Sequence, residues 1–226
     1  MARIVKDPDE RRSELIAAAQ ELFYTKGYER TSVSDIVKAV GVAQGTFYYY
    51  FDSKAAILQA IVDEAIAQMV ASLHEIIADE TLTAIPKWQK ALQVANNWKI
   101  EHKDEMLQVS RLLRREENLL LRHRLRTERA KVLVDEMAKI IAQGVKEGVF
   151  DTQFMPETAE IMVSIIASFS DTMNELVFNP EKYDDPKALA LRKKATVQTA
   201  IERLLGAPTG SMPIIDDETL IAWFAE

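Results

Sequence analysis

The chain has 226 residues, no cysteine and a formal net charge of −7. The lack of cysteine excludes disulfides and thiolate metal sites, and three widely separated histidines (His74, His102 and His123) form no metal-binding pattern. Seven glycines and seven prolines mostly separate long segments of helical periodicity, so the sequence predicts an all-α protein without a sheet. No signal peptide and no apolar run of the ~20 residues that span a membrane are recognised, which predicts a cytoplasmic protein with no membrane partner.

Residues 31–54 read TSVSDIVKAVGVAQGTFYYYFDSK and predict two short helices joined by a tight turn. Ser32 can cap the first helix with Asp35 three residues later, close to a capping box. Gly41 can adopt the left-handed backbone that ends this helix sharply. The second helix begins near Ala43 or Gln44. Two short helices crossing at such a turn form a helix-turn-helix, whose second helix can enter the major groove of DNA.

The second helix has one inward and one outward face. Phe47 and Phe51 share the face that packs inward, while the tyrosines between them point away or lie at its edge. Phenol groups can donate to phosphates, an exposed glutamine can pair with a base edge, and a glycine lets the backbone approach the groove. The predicted DNA-binding residues are Ser32, Ser34, Gln44, Gly45, Thr46, Tyr48, Tyr49, Tyr50 and Lys54. Packing is the alternative for Tyr50, and solvated surface is the alternative for Lys54.

The motif extends upstream through ELFYTKGYERTS, and over residues 9–62 the chain resembles the TetR family of transcriptional regulators. The resemblance implies an N-terminal three-helix DNA-binding domain and a larger helical domain for dimerisation and effector binding. It also implies a homodimer that binds a near-palindromic operator as a repressor. Two features depart from the pattern. Val37 stands where alanine is more common, and no Lys or Arg lies between Gln44 and Tyr50, so operator choice would depend on thymine contacts and DNA shape.

The charge distribution suits this interpretation. Residues 1–54 hold eight basic and eight acidic residues, so the remaining residues carry the whole charge of −7. An acidic body behind a neutral head would be repelled by DNA and would orient the head toward it. Arg3, Lys6, Arg11 and Arg12 could contact phosphates or the minor groove, although Arg11 and Arg12 could equally be solvated on the first helix.

Six more helices are predicted beyond the motif, at 54–79, 84–101, 103–114, 117–147, 156–178 and 186–205. The predicted domains are 1–54 for DNA binding, 55–206 for effector binding and dimerisation, and 207–226 as a linker with a short amphipathic segment. Helix 54–79 would connect the first two domains mechanically. The final segment, IIDDETLIAWFAE, is too apolar to stay free and should dock on its own body or on a second subunit.

The last two long helices carry two apolar faces, which indicates burial on one side and a partner on the other. A monomer that buries both faces is the alternative, but the resemblance implies a four-helix bundle between two subunits. The predicted dimer interface comprises Ile161, Ile165, Phe169, Val197, Ile201 and Leu204.

The helices between these parts are predicted to enclose a small-molecule effector, with no cofactor and no metal. The candidate ligand-binding residues are Trp88, Trp98, His102, Met106, Met137, Phe169 and Met173. Core packing is the alternative for each of them, and a solvated helix end is the alternative for His102. A basic run, with eight Lys or Arg from Arg111 to Lys131, predicts either an anion-binding face or a solvated helix face.

Two other functions fit the sequence less well. A family member could act through a protein partner or corepressor, but the DNA-binding surface is intact. An enzyme would need a nucleophile with its base, a metal set or a phosphate loop, and the sequence contains none that can be recognised, so no catalytic residue is predicted.

Overall fold

The computed structural model describes residues 7–225, except for the side chains of Ala65, Ile66, Met69, Glu105, Glu117, Leu120, Leu121 and Arg124. Within this range the chain forms ten α-helices and no strand, which confirms the all-α prediction. The helices are α1 (Pro8–Thr25), α2 (Val33–Val40), α3 (Gln44–Tyr50), α4 (Lys54–Ala78), α5 (Ala84–Glu101), α6 (Lys103–Leu113), α7 (Leu119–Glu147), α8 (Met155–Phe178), α9 (Pro186–Leu205) and α10 (Asp217–Ala222). Short 3-10 turns occupy Glu116–Asn118 and Pro180–Lys182.

Local signals in the sequence set several helix ends. At α2, the Ser32 hydroxyl accepts from the Asp35 amide at 3.1 Å and the Asp35 carboxylate accepts from the Ser32 amide at 2.8 Å, which completes the predicted capping box. Gly41 ends this helix with φ 73°. At α9, Asp185 caps the first turn and Gly206, with φ 61°, follows the last residue. Both glycines hold a left-handed backbone that a side chain would strain.

The predicted boundaries agree closely with the observed ones. The bounds of α5 and α9 are as predicted, and those of α4, α6 and α8 differ by one residue at one end. The predicted helix 117–147 is instead a 3-10 turn followed by α7.

The chain divides into two compact units. The first comprises residues up to Gln68 together with Asp104–Leu125, and the second comprises Met69–Lys103 together with residues from Arg126 onward. The division therefore runs through α4, the helix expected to connect the two domains, and it assigns α6 to the helix-turn-helix unit. Leu112 of α6 belongs to the buried core of that unit, which explains the assignment.

The second unit has its own core, built from α5, α7, α8, α9 and the C-terminal segment. That segment docks on its own chain, the first of the two predicted alternatives. Met212, Ile214 and Leu220 are buried there, and the Trp88 indole donates to the Pro213 carbonyl at 2.6 Å. The Lys103 ammonium donates to the Ala222 carbonyl at 2.8 Å and holds the end of α10.

Among the described helices, α8 is long and apolar enough to cross a membrane by length and composition alone. The expectation that no segment meets this criterion was therefore wrong. Ala159, Met162 and Phe169 of α8 lie in the core of the second unit, and this packing accounts for much of the helix's apolar composition.

Candidate functional site

Helix α3 packs into the core through its phenylalanines and exposes two of its tyrosines to solvent. Phe47 is fully buried and Phe51 is 5% exposed, whereas Tyr48 is 51% exposed and Tyr49 is 78% exposed. The Tyr48 ring meets Phe47 edge to face at 5.5 Å, so its orientation is fixed although its hydroxyl is free to point outward. Two large aromatic side chains thus stand in solvent on one face of a short helix, which is uncommon without a binding role.

The start of α3 is open to a ligand. Gln44 and Gly45 are exposed and Thr46 is partly exposed. A Cβ placed on Gly45 would meet nothing within 4 Å, so the fold itself does not require glycine at this position. An approaching DNA backbone or base edge would use that space.

The remaining predicted DNA-binding residues have structural partners as well. The Ser32 hydroxyl caps α2 and also donates to the Asp35 carboxylate at 2.8 Å. Ser34 is exposed on the first turn of α2. Tyr50 meets Tyr49 edge to face at 4.8 Å and packs against the core of the first unit, so packing accounts for at least part of its role.

Lys54 has a role that the sequence did not predict. Its ammonium donates to the carbonyls of Tyr28 and Thr31 at 2.8 and 2.9 Å and lies 4.1 Å from the centre of the Tyr28 ring. Desolvation lowers the pKa of this lysine from its ordinary value. Two of its three N–H groups therefore fix the turn before α2, and only the third remains for the predicted phosphate contact.

The turn before α2 is braced by further contacts that sequence reasoning missed. The Thr31 hydroxyl donates to the Gly27 carbonyl at 2.8 Å, and Lys26 pairs with Asp35 at 2.7 Å. The hydrogen bond from Lys26 holds the pKa of the Asp35 carboxyl well below its usual range. These contacts join residues four to nine positions apart and depend on a turn geometry that no local pattern reveals.

The predicted N-terminal arm is only partly testable. Arg3 and Lys6 lie outside the described residues. Arg11 pairs with Glu14 at 2.5 Å, and the Arg12 guanidinium lies 5.3 Å from the centre of the Phe51 ring. Both arginines thus have intramolecular partners in the first unit and are partly buried, rather than simply solvated on α1.

The predicted effector residues are dispersed. Trp88 is buried and anchored to Pro213, while Met137 and Phe169 are buried in the core of the second unit. Met173 packs against the same core. Their burial accords with the core-packing alternative.

Trp98 and His102 form a local pair near the end of α5. Their rings stack at 4.7 Å, and the His102 Nδ1 lies 2.9 Å from the Trp98 carbonyl oxygen. Met106 lies on α6, in the first unit. The structure therefore does not gather all seven candidates into one unit.

Two cavities lie elsewhere. A cavity of about 220 Å³ in the first unit is lined by Phe23, Tyr28, Leu112 and neighbouring residues of α1 and α6. A cleft of about 690 Å³ in the second unit is lined by α5, Lys194 and Pro213–Glu218. None of the seven candidates lines either cavity, but Asn96, a neighbour of Trp98 on α5, lines the cleft.

The predicted dimer residues separate into two groups. Ile161 is 50% exposed, and Ile165, Val197 and Leu204 are partly exposed. Ile201 is fully buried and Phe169 is 8% exposed within the single chain, so neither has appreciable area left for a partner. The predicted interface residues with surface left for a partner are therefore Ile161, Ile165, Val197 and Leu204. Phe169 lies four residues after Ile165 and Ile201 four residues after Val197, so each is on the same helix face as its partly exposed neighbour, but both belong to the core of the second unit.

No group of three or more potential metal ligands occurs among the described residues.

Comparison with known proteins supports a regulator. The profile of bacterial regulatory proteins of the tetR family matches residues 15–61, which include α2 and α3. The fatty acid metabolism regulator protein of Bacillus subtilis is 30% identical over 172 residues, covering 76% of this chain and 86% of that protein. The TtgR regulator of Pseudomonas putida is 37% identical over 73 residues, or 32% of this chain and 31% of that protein.

Solved structures agree with the fold. The regulator FadR from Bacillus subtilis in complex with stearoyl-CoA superposes with a TM-score of 0.59 at 26% identity, covering 87% of this chain and 98% of that one. A regulator from Pectobacterium atrosepticum gives a TM-score of 0.64 at 20% identity, covering 91% and 100%. These relatives are transcriptional regulators rather than enzymes. The exposed tyrosine face of α3, the matching profile and the relative that covers most of the chain lead to one conclusion: the chain belongs to the TetR family of DNA-binding transcriptional regulators.

Proposed function

We propose that the chain is a homodimeric cytoplasmic repressor that binds a near-palindromic operator through α3 and leaves it when a small effector binds the second unit. The observation that carries the DNA-binding part is the exposure of Tyr48 and Tyr49 on a helix anchored by buried Phe47. In this arrangement the tyrosine hydroxyls contact phosphates and Gln44 reads a base edge. With no Lys or Arg on α3, operator choice rests partly on DNA shape.

Two-fold symmetry sets the form of the operator. Each subunit of a homodimer presents one α3, so two half-sites stand about 34–36 Å apart or at a multiple of that distance. Effector binding then shifts α4, whose residues belong to both compact units, and moves the recognition helices out of register. A coupling free energy of about 1–3 kcal/mol between the two sites suffices for such a switch.

Selection of binding sites from random duplexes, at fixed near-physiological salt, tests the DNA-binding part. We expect an enriched inverted repeat for the wild type and its loss for Tyr48→Ala. Tyr48→Phe separates the hydroxyl from the ring, because it keeps the contact with Phe47 and removes only the donor to phosphate.

Val94→Asp replaces an exposed residue on α5. This control variant should select the same repeat as the wild type. If the wild type enriches no sequence, or Tyr48→Ala enriches the same repeat, α3 is not the specific reader. Only the first of these outcomes would point to action through a protein partner or a missing corepressor instead of direct DNA binding by the free protein.

The effector that we propose is a long-chain acyl-CoA. The support comes from the Bacillus subtilis relative, a fatty acid metabolism regulator whose structure holds stearoyl-CoA. We expect stearoyl-CoA, added below its micellar concentration, to release the protein from the selected operator in a fluorescence anisotropy titration, and coenzyme A alone to release none. Full retention of the complex at saturating stearoyl-CoA would exclude this effector while leaving DNA binding intact.

A further inference from the structure

The cleft of the second unit is lined on one side by a single face of α5. The α5 residues of this wall are Gln89, Leu92, Gln93, Asn96 and Asn97. Their spacing of i, i+3, i+4, i+7 and i+8 is that of one helical face. Four of the five side chains are carboxamides, each of which carries an acceptor oxygen and two donor N–H groups. This wall can therefore form several hydrogen bonds with a ligand in the cleft.

The second wall of the cleft is the docked C-terminal segment, which side chains of α5 and α9 hold in place. The Gln89 side-chain amide donates to the Ser211 carbonyl at 3.2 Å. The Lys194 ammonium of α9 donates to the Asp217 carboxylate at 2.5 Å. Ile215, which also lines the cleft, is buried in the core of the second unit. The cleft is thus formed by the packing of distant parts of the chain within one unit.

Three consecutive carboxylates give the second wall a negative charge. Asp216, Asp217 and Glu218 line the cleft at the start of α10, against Lys194 as the one cation among the described lining residues. Asp217 is paired with Lys194, and the Asp216 carboxylate accepts from the amide and the hydroxyl of Thr219 at 2.7 and 2.6 Å. In the described part of the chain the Glu218 carboxylate has no hydrogen-bond or ion-pair partner. Negative charge in the cleft therefore remains uncompensated.

Asn96 is the most deeply placed carboxamide of the α5 wall. It is 4% exposed, whereas Gln93 and Asn97 on the same face are exposed. The Asn96 Oδ1 is inaccessible and accepts no hydrogen bond from any residue that the structure describes. Buried polar atoms in native proteins are almost always paired. An unpartnered buried acceptor in the lining of a cleft therefore indicates a ligand that brings a donor.

These acceptors favour a ligand with positively charged donors. An ammonium group has three N–H donors and no acceptor, so it matches both an unpaired carboxylate and an unpartnered amide oxygen. Residues of the described chain form no group that could hold a metal ion, which argues for an organic cation. A cleft of about 690 Å³ has the size of small-molecule sites, and Leu92 and Ile215 supply apolar surface for methylene groups.

We propose that the cleft between α5 and the C-terminal segment binds an aliphatic amine with two or more ammonium groups. One ammonium donates to the Asn96 Oδ1, another pairs with the Glu218 carboxylate, and the methylene groups between them pack on Leu92 and Ile215. An amine held in this way links α5 to the segment and stabilises the docked state. Its binding is independent of the proposed acyl-CoA response and is measured without DNA or acyl-CoA.

Isothermal titration of the full chain with spermidine, at near-physiological salt, tests the site. Asn96→Leu should bind spermidine at least about tenfold more weakly than the wild type, as expected for a lost hydrogen bond to a charged donor. Glu218→Gln should bind about threefold more weakly, as expected for the loss of an exposed ion pair. The matched control is Glu181→Gln, which removes an exposed carboxylate outside the cleft and should bind like the wild type.

Lys194→Met tests the charge of the ligand. This substitution removes a positive charge from the cleft and releases the Asp217 carboxylate, so spermidine should bind about threefold more tightly. Weaker spermidine binding by Lys194→Met would overturn the assignment of a cationic ligand. The neutral polyol sorbitol should not bind, and sorbitol binding that Asn96→Leu abolishes would overturn the amine in favour of a polyol.

Melting temperatures separate the site from a structural role of its residues. Without ligand, Asn96→Leu should melt no lower than the wild type, because it removes a buried oxygen that has no partner. Saturating spermidine should raise the melting temperature of the wild type and of Glu181→Gln more than that of Asn96→Leu or Glu218→Gln.

Two results would overturn the site as a whole. One is the absence of spermidine binding to the wild type. The other is equal affinity in all of the variants, which would reflect only general attraction to a chain of net charge −7. If Asn96→Leu does not fold, Glu218→Gln and Lys194→Met still decide the matter, because their affinities should change in opposite directions.

Discussion

Gly41 and Gly45 of the helix-turn-helix differ in whether the fold needs a glycine at that position. Gly45 lies in open space on α3 with an ordinary backbone, so Gly45→Ala should keep the fold and add up to about 1 kcal/mol of helix stability. If the α3 backbone approaches the groove here, the added methyl group should weaken operator binding about tenfold, near the cost of one good base contact. Thermal unfolding and anisotropy on the selected operator measure the two effects.

Gly41→Ala provides the converse control. The backbone at Gly41 has φ 73°, so alanine there should destabilise the first unit by about 1 kcal/mol and leave the operator affinity of the folded protein unchanged. Wild-type affinity for Gly45→Ala would show that the backbone of α3 stays away from the groove at this position.

Because of Lys99, the free energy of unfolding should rise with pH between about pH 8 and pH 10.5. Its pKa is lowered from 10.5 to about 8 in the folded chain. Below pH 8 the lysine is charged in both states, so the full cost of desolvating it opposes folding. Between pH 8 and 10.5 the folded chain loses this proton before the unfolded chain does, and the cost disappears as pH rises.

Lys99→Met should therefore stabilise the chain by about 1–2 kcal/mol at pH 7, after allowance for solvent screening of a partly exposed group. The gain should shrink toward zero near pH 10.5. Urea unfolding of variant and wild type at pH 7 and pH 10 gives the difference. A constant difference at both values would mean that packing, rather than charge, separates the two proteins.

At the scale of elements, the C-terminal segment is part of the second core. Truncation after Gly210 removes buried Met212, Ile214, Ile215 and Leu220 and leaves the Trp88 indole without its carbonyl partner. Burial of these side chains, less the entropy of ordering the segment, corresponds to a loss of about 3–5 kcal/mol. Calorimetry should show a large fall in melting temperature, whereas truncation with unchanged melting would mean that the segment adds no net stability.

The elements that could be predicted are those with local chemical signals. Asp185 and Gly206 bound α9, and Ser32 and Gly41 bound α2, because caps and left-handed glycines act over a few residues. The exposure of Tyr48 and Tyr49 followed from helical periodicity in the same way.

Other features depend on contacts between distant residues, and the sequence could not reveal them. The Lys54 ammonium binds carbonyls 23 and 26 residues earlier. Phe169 and Ile201 were assigned to the dimer stripe because apolar periodicity marks a buried face without telling the chain's own core from a partner's.

At the scale of the whole molecule, charge and symmetry act together. Residues 1–54 are neutral and the remaining residues carry the charge of −7, so the segment that contains α3 has no net charge of its own to repel DNA. In the proposed dimer, binding through two half-sites would supply affinity that a single short helix without Lys or Arg cannot.

The last prediction concerns the interface of the proposed dimer. Ile161 and Ile165 share a stripe of α8 with Ser168 and Thr172, and these side chains keep solvent contact in the single chain. Ile161→Asp, and more strongly its combination with Ile165→Asp, would bury unpaired carboxylates in a two-fold interface and should yield a monomer. A monomer presents one α3, so its affinity for the inverted repeat should fall at least about a hundredfold, the lower range of the gain from linking two binding modules.

Analytical ultracentrifugation gives the oligomeric state, anisotropy gives the affinity, and Val94→Asp should stay dimeric as the control. If the Ile161→Asp protein remained a dimer, the interface would lie elsewhere. If it became a monomer and still bound the repeat like the wild type, operator recognition would not need two-fold symmetry.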